Sequence, residues 1–229
     1  MSAGNVTAVV LAAGSGQRVG ADMPKQFLPV GDRPMLHHSL AVFEACEHVA
    51  GIVVALPPGD SSDLTGFSTI TARVAGGATR QASLQSALAR LPDGTDTVLV
   101  HDAARPLLDQ PLIERLLAGL DESCDGVIPA IPMEDTIKEV SHDRLVLREV
   151  DRAGIWRVQT PQAFRRQVLE DALAKAVASG LESTDCSQIL TSAGYRVRVI
   201  EGDPLNVKVT RAADLWLAEQ ILASRTEDS

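Results

Sequence analysis

A group of small residues and cations near the start of the chain could bind phosphate. Gly14-Ser15-Gly16 follows a short apolar run, and Arg18 and Lys25 come next, seven positions apart. Glycines directly after a buried strand let backbone N–H groups approach a ligand closely. A guanidinium grips phosphate oxygens in pairs, whereas an ammonium acts as a point charge. The spacing therefore indicates an anion site formed by a loop and two cations.

The loop departs from two familiar glycine signatures of nucleotide-binding proteins. Gly14 does not lead into the Gly-Lys-Ser/Thr end of a P-loop. A dinucleotide fingerprint has its third glycine three positions after the second, and here Gly20 comes one position late. The next predicted strand also ends at Ala55-Leu56-Pro57, without an acid for a ribose hydroxyl. The pattern therefore disfavours a nicotinamide-dependent oxidoreductase.

The composition predicts a single α/β domain over residues 1–229. Of the 229 residues, 45% are hydrophobic and 3% aromatic, so Ala, Val, Leu and Ile must fill the core. The net charge of −9 argues against nucleic acid as the main partner, because phosphate backbones dominate that kind of binding. An acidic chain can still bind a small anion where its cations are gathered locally.

The cysteines and the apolar runs point to a cytoplasmic protein. Cys46, Cys124 and Cys186 are too far apart to suggest a zinc site or a disulfide framework. No apolar run approaches the ~18 residues of a membrane span, so no membrane partner is expected. The first residues carry no basic segment of the signal-peptide type. We therefore expect small, partly buried residues with reduced thiols.

Apolar runs alternate with helical periodicity, which predicts βαβ units in a doubly wound, Rossmann-like fold: a mostly parallel sheet with helices on both faces. The predicted strands are Thr7–Leu11, Gly51–Leu56, Ala72–Ala75, Thr97–Val100, Gly126–Ala130, Val197–Ile200 and Val207–Val209. The predicted helices are Met35–Ala45, Arg80–Leu91, Pro111–Leu120, Arg165–Ser179, Thr184–Ala193 and Asp214–Ser224. Ligands of such sheets bind beyond the carboxyl ends of the strands.

Residues 133–150 interrupt this alternation. Thr136–Val140 and Leu145–Val150 alternate polar and apolar residues around Ser141-His142-Asp143, which predicts a β-hairpin with little core of its own. A hairpin that buries nothing in its own domain often packs on another subunit. We therefore hypothesise a homodimer in which this arm crosses the interface.

Several motifs resemble, in order, those of the cytidylyltransferases that act on 2-C-methyl-D-erythritol 4-phosphate in the non-mevalonate isoprenoid pathway. They are Leu11–Arg18, Pro24-Lys25-Gln26-Phe27, His101–Pro106, Asp135–Lys138, Asp151–Trp156, Gln159–Gln162 and Asn206–Thr210. The resemblance implies an enzyme with the nucleotidyltransferase fold that joins CTP to the polyol phosphate and releases pyrophosphate, using Mg²⁺. It also implies direct in-line attack of the substrate phosphate on the α-phosphorus.

The resemblance also assigns roles to residues of the CTP half. Arg18 and Lys25 match the catalytic cations, which would stabilise charge at the α-phosphate. The residues that match the CTP pocket are Ala12, Ala13, Gly14, Ser15, Gly16, Gly76, Gly77 and Ser83, and Lys208 is added to this set. Backbone groups at the paired glycines would contact the cytosine edge. Ala78 follows them here, where the family often has an acid.

A second set matches the polyol phosphate site: Asp102, Arg105, Thr136, Arg152, Thr160, Thr184 and Lys208. The resemblance also implies that Asp102 is the metal ligand, and a single aspartate is chemically sufficient because Mg²⁺ needs only one or two carboxylates beside phosphate oxygens. Thr136 and Arg152 flank the arm and would reach the partner subunit's site. His101 is expected to be structural. Cys186-Ser187 follows Thr184-Asp185, where the family usually has an acid and then Ala.

Two alternative functions stay open on the sequence alone. A cytidylyltransferase for another polyol phosphate, such as ribitol 5-phosphate, would share the CTP half and differ around Thr136, Arg152 and Thr184. A non-catalytic nucleotide-binding protein could use the same scaffold, although Arg18 and Lys25 argue against it. Release of pyrophosphate would distinguish these alternatives.

Overall fold

The computed structural model describes residues 5–14 and 23–227. The strands are β1 (Val6–Leu11), β2 (Pro29–Val30), β3 (Arg33–Pro34), β4 (Val49–Leu56), β5 (Ile70–Ala75), β6 (Thr97–Asp102), β7 (Gly126–Pro132), β8 (Ile137–Val140), β9 (Val146–Val150), β10 (Trp156–Val158), β11 (Gln162–Arg165) and β12 (Val197–Glu201). The α-helices are α1 (Met35–Glu44), α2 (Arg80–Leu88), α3 (Gln110–Gly119), α4 (Arg166–Ser179), α5 (Cys186–Ser192) and α6 (Ala212–Glu227). A 3-10 helix covers Lys25–Phe27.

Eight strands form one central sheet. Its path is β10-β7-β11-β6-β1-β4-β5, and β12 also pairs with β7. The pairs β1–β4, β1–β6, β4–β5 and β7–β12 are parallel, whereas β10 and β11 run antiparallel to their neighbours. The mostly parallel sheet confirms the predicted fold class.

Alternating side chains of the strands pack on opposite layers of helices. Val10 and Val54 lie in one core cluster with residues of α1 and α3. Val9 and Val53 lie in a second cluster with residues of α2, α4 and α5. Because successive strand residues point to opposite faces, continuous apolar strands need helices on both faces, as observed. α6 contributes to a third cluster that includes Met35 and Val209.

The carboxyl ends of the parallel strands are in register at one edge of the sheet. Leu11 of β1 pairs with Asp102 of β6 and with Ala55 of β4, and Leu56 of β4 pairs with Ala75 of β5. Ala12-Ala13-Gly14 follows β1, the paired glycines follow β5, and Asp102 is the last residue of β6. The sheet thus brings together motifs that lie up to 90 residues apart in the chain.

Most predicted elements are confirmed to within a few residues, but one is wrong. Residues 207–209 form no strand: Val209 is buried and donates its N–H to the Ala104 carbonyl (2.8 Å), which ties the segment to the loop after β6. Periodicity also missed β10 and β11, because segments of three and four residues are too short to display it.

The hairpin predicted within residues 133–150 is present as β8 and β9, an antiparallel pair separate from the main sheet. Val140, Leu145, Val146 and Leu147 are each 54–68% exposed. Within the described chain, the arm therefore leaves apolar side chains in contact with solvent.

Cys46, Cys124 and Cys186 form no disulfide, as expected, and are more fully buried than predicted. Across residues 5–14 and 23–227, no helix has the length and apolar character needed to cross a membrane.

Candidate active site

A cleft of about 370 Å³ opens at the carboxyl edge of the sheet. Five residues predicted for the site line it: Asp102, Arg105, Thr160, Thr184 and Lys208. Six further lining residues are Arg80, Val158, Gln159, Gln162, Asp185 and Gln188. The fold thus gathers most of the predicted polyol phosphate set around one space.

Asp102, the last residue of β6, lies between two cations. Its Oδ1 accepts from Arg80 Nε at 3.0 Å, and its Oδ2 accepts from Lys208 Nζ at 2.7 Å. Burial by itself would raise the pKa of this carboxyl, but Arg80 and Lys208 hold the pKa well below its usual range. Asp102 is therefore ionised throughout the physiological range and neutralised from both sides.

Arg80 is the functional candidate that the motifs did not reveal. It is the first residue of α2, and the preceding Thr79 caps this helix by accepting from the Ala82 N–H at 3.1 Å. Besides Asp102, Arg80 donates through Nη1 to Cys186 Sγ at 3.2 Å. A cation directly after the paired-glycine loop was the available signal, and helical periodicity assigned Arg80 only to the start of a helix.

Buried polar contacts fix the floor of the cleft. The Thr160 hydroxyl accepts from the Asp102 N–H at 3.1 Å and lies 3.2 Å from His101 Nδ1. On the other side of the ring, His101 Nε2 lies 3.0 Å from the Ser39 hydroxyl. Burial lowers the pKa of His101 to about 4, so the imidazole is neutral and holds neighbouring groups in place.

Arg105 links the walls of the cleft. Its guanidinium donates to the carbonyls of Asn206 (2.7 Å) and Val158 (3.0 Å), and its side chain is buried. Burial lowers the pKa of Arg105 to about 10, which still leaves it charged at neutral pH. Asn206 in turn donates to the Thr160 carbonyl at 2.9 Å.

The described residues that were predicted for the CTP pocket are small and closely packed. A Cβ added to Gly76 would lie 2.1 Å from Ala13 Cβ, so the backbone of the loop after β5 packs directly against the Ala13 side chain. The Ser83 hydroxyl accepts from the Gly77 N–H at 3.1 Å and donates to the Thr79 carbonyl at 3.0 Å. These contacts hold the paired glycines beside Ala12, Ala13 and Gly14.

Lys25 is placed near the same cleft. Its Nζ donates to the Val209 carbonyl at 3.2 Å, so it lies beside the segment that carries Lys208. Arg18, Ser15 and Gly16 lie outside the described residues.

Thr136 and Arg152 are not among the residues that line the cleft. Both are exposed at the base of the arm, where Arg152 Nη1 donates to the Glu134 carbonyl. Thr184 is exposed at the rim of the cleft and precedes Asp185, which caps α5 by accepting from the Gln188 N–H. Gln162 donates to Asp185 Oδ1 at 2.6 Å and holds this rim against β11.

A family model for 2-C-methyl-D-erythritol 4-phosphate cytidylyltransferase matches residues 6–224 of the chain. The chain belongs to this family. The resemblance drawn from the motifs is confirmed, and so is the prediction of a CTP-dependent nucleotidyltransferase.

Relatives of the family with known names are similar along nearly the whole chain. The 2-C-methyl-D-erythritol 4-phosphate cytidylyltransferase of Paraburkholderia phytofirmans is 39% identical over 226 residues, covering 94% of this chain and 95% of that protein. The bifunctional enzyme IspD/IspF of Rhodospirillum rubrum is 40% identical over 97% of this chain, which spans 58% of that protein. The crystal structure of the Thermus thermophilus cytidylyltransferase has a TM-score of 0.81 and 36% identity, over 95% of this chain and 98% of that one.

The donor set of this cytidylyltransferase fold fits a metal held mainly by phosphate. Among the described residues, no group of three or more His, Cys, Asp or Glu side chains could hold an ion. Both oxygens of Asp185 accept hydrogen bonds from protein groups, and both oxygens of Asp102 face cations. These residues therefore fit an ion only if phosphate oxygens and water supply most of its ligands and Asp102 supplies at most one.

Proposed function

We propose that the cleft transfers the cytidylyl group of CTP to the phosphate of 2-C-methyl-D-erythritol 4-phosphate by direct in-line attack. A substrate phosphate oxygen forms a bond to the α-phosphorus, and the bond from that phosphorus to the leaving pyrophosphate breaks. The products are 4-diphosphocytidyl-2-C-methyl-D-erythritol and pyrophosphate. The observation that carries the proposal is Asp102, held between two cations beside the segment after β1.

The cations supply the electrostatic part of this reaction. Negative charge gathers on the α-phosphate oxygens as the bonds exchange, and fixed cations aimed at that position lower the barrier. Lys25 lies beside the segment that carries Lys208, and Arg18 is assigned to the same role as Lys25 from the sequence. Positioning of the two anionic substrates relative to each other supplies the rest of the rate acceleration.

The two halves of the site divide the work of recognition. Ala12, Ala13, Gly14 and the Gly76-Gly77 turn leave room for the cytosine, and their backbone groups are suited to reading its edge. Arg105, Thr160, Thr184 and Lys208 hold the polyol phosphate. Ala78 is exposed and brings no carboxylate to the base, so the backbone carries recognition at this loop.

A divalent metal, Mg²⁺ by the chemistry of the donors, is part of the proposal. When bound to the triphosphate, it neutralises phosphate charge that the protein's cations do not reach. Asp102 is the residue that would hold it. Removing divalent ions with a chelator should then abolish turnover, and adding Mg²⁺ should restore it.

The arm completes the site of a second subunit in a homodimer. Its apolar side chains are exposed, and so are those of Trp156 and Val158 on β10, of which Val158 lines the cleft. Thr136 and Arg152 at the base of the arm lie outside their own cleft lining, which leaves them available to a partner's substrate. Exposed apolar patches of this kind favour subunit contacts.

The test offers CTP, Mg²⁺ and a panel of polyol phosphates to the enzyme and measures pyrophosphate. We expect rapid release with 2-C-methyl-D-erythritol 4-phosphate and little with ribitol 5-phosphate. Reactions without a polyol phosphate control for CTP hydrolysis. Equal or faster turnover of ribitol 5-phosphate would contradict the proposed substrate. Absence of pyrophosphate release with every acceptor would contradict the proposed activity.

A further inference from the structure

The two counter-ions of Asp102 are held very differently. Arg80 leaves 18% of its side chain exposed, and its guanidinium contacts both Asp102 and the buried Cys186. Lys208 leaves 42% of its side chain exposed and lies on a segment without regular structure. Burial raises the pKa of the Cys186 thiol, so Arg80 has one anionic partner and one neutral partner. Arg80 is thus anchored, whereas Lys208 can turn towards the cleft.

We infer that Arg80 is a positioning residue, the fixed counter-ion of Asp102, and that Lys208 is the exchangeable one that moves to the substrate phosphate. The inference rests on the proposed function, since it needs a phosphate substrate in the cleft. An entering phosphate competes with Asp102 for the Lys208 ammonium. Because a largely buried carboxylate without a cation is costly, Arg80 stays paired with Asp102 when Lys208 leaves, whether or not Asp102 also holds the proposed metal.

Arg80 also connects the two halves of the site. It starts α2, which carries Ser83 against the paired glycines, and it contacts Cys186 at the start of α5, two residues after Thr184. Asp102, the common partner, ends the central strand β6. Loss of Arg80 therefore disturbs the geometry of Asp102 and Lys208 without removing a group that contacts CTP.

A double-mutant cycle tests the inference. Arg80→Gln, Asp102→Asn and the double variant are compared with wild type by steady-state pyrophosphate release. We expect Arg80→Gln to lower kcat/KM for the polyol phosphate by about 10- to 100-fold, since small displacements of catalytic groups cost that much. KM for CTP should stay close to wild type. Because Arg80 acts through Asp102, the double variant should be no worse than Asp102→Asn alone.

Two further variants separate positioning from a general loss of structure. Arg80→Lys keeps the charge and should recover part of the lost kcat/KM, although it cannot contact Asp102 and Cys186 together. Arg198→Gln removes a distant arginine that also pairs with an aspartate, Asp121, at 2.8 Å, and it should leave activity unchanged. The inference would be overturned if the fold-losses in kcat/KM of Arg80→Gln and Asp102→Asn multiplied in the double variant. Equal losses of kcat/KM for CTP and for the polyol phosphate would also overturn it.

Failure of the inference can be told from failure of the proposed function. If wild type releases pyrophosphate but the effects of the two single variants on kcat/KM are independent in the double variant, only the role of Arg80 is wrong. If wild type is inactive with every acceptor, the proposed function fails, and the same four proteins are unfolded in urea. If the changes in free energy of unfolding of the two single variants add up in the double variant, Arg80 and Asp102 are not coupled. If they do not add up, the two side chains are coupled, and Arg80 remains the fixed counter-ion of Asp102.

Discussion

At the scale of single residues, the cleft concentrates positive charge in an acidic protein. The net charge is −9, yet Arg80, Arg105, Lys25 and Lys208 all lie at or beside the same cleft. Contacts with carbonyls and with one carboxylate hold these cations in place before any substrate arrives. A preorganised cation such as Lys25 stabilises developing charge without having to move during the reaction, whereas Lys208 is the one inferred to turn to the substrate phosphate.

Lys25→Ala should lower kcat far more than it weakens CTP binding. The ammonium is proposed to act on the charge that appears at the α-phosphate in the transition state, and an interaction made only there changes kcat. Steady-state kinetics and calorimetric titration with CTP measure the two effects. Lys175→Ala, which removes a lysine paired with Asp171 on α4, is the matched control. Near wild-type turnover in Lys25→Ala would remove Lys25 from the mechanism.

His101 should make the folded protein less stable as the pH falls from about 6.5 to 4. The unfolded chain binds a proton at its ordinary pKa of 6.5, whereas burial lowers the pKa in the folded state to about 4. The unfolded state therefore binds more protons in this window, at a cost on the order of 3 kcal/mol to folding. Urea unfolding at several pH values measures it.

His101→Gln provides the comparison for this pH effect. Burial also lowers the pKa values of His37 and His38, and both residues are present in the two proteins, so their contributions cancel. The variant should show a shallower loss of stability between pH 6.5 and 4. Parallel pH profiles for wild type and variant would contradict a neutral, buried imidazole.

At the scale of elements, the loop between β5 and α2 depends on the absence of a side chain. Gly76→Ala places a methyl group 2.1 Å from Ala13 Cβ and 2.9 Å from Ser83 Oγ, so backbones must separate. We expect weaker CTP binding and a lower melting temperature, measured by titration and thermal unfolding. Gly66→Ala is the control, because nothing lies within 4 Å of its added Cβ. Unchanged CTP affinity in Gly76→Ala would show that the cytosine of CTP does not bind at this loop.

The base of the arm should contribute to the binding of the polyol phosphate and not to the binding of CTP. Arg152→Ala is expected to raise KM for the polyol phosphate and to spare CTP affinity, because Arg152 is assigned to the phosphate of the second substrate. Arg148→Ala, on the same arm and paired with Glu139, tests whether any arginine there matters. If Arg152→Ala weakened the binding of both substrates equally, this role would be wrong.

At the scale of the whole molecule, a shared site predicts complementation between inactive subunits. Asp102→Asn damages a subunit's own cleft, and Arg152→Ala damages the arm that it lends to its partner. In a mixed dimer, one cleft carries both defects and the other carries neither, so random re-pairing should restore about a quarter of wild-type activity. Activity after mixing and sedimentation at micromolar concentration are the measurements. A monomer, or no recovery on mixing, would contradict the arm hypothesis.

Much of the fold could be predicted because its long elements carry local signals. The buried strands β1 and β4 are continuous apolar runs, and α2 and α3 repeat leucines at helical spacing, so periodicity placed them within a few residues. The short antiparallel strands β10 and β11 carry no such signal. Residues 207–209 alternate like a strand but have no strand partner in the described chain, since the Val209 N–H is bonded to a loop.

The sequence by itself determined the family and predicted most members of the candidate site, because the residues assigned to phosphate and polyol lie in motifs with local order and spacing. Only the tertiary structure decided how those members are paired. Arg80 and Asp102 are 22 residues apart, and Asp102 and Lys208 are 106 apart. They meet because parallel strands end at one edge of the sheet and the helices that follow begin there. Periodicity and spacing describe neighbours along the chain, whereas ion pairs depend on neighbours in space.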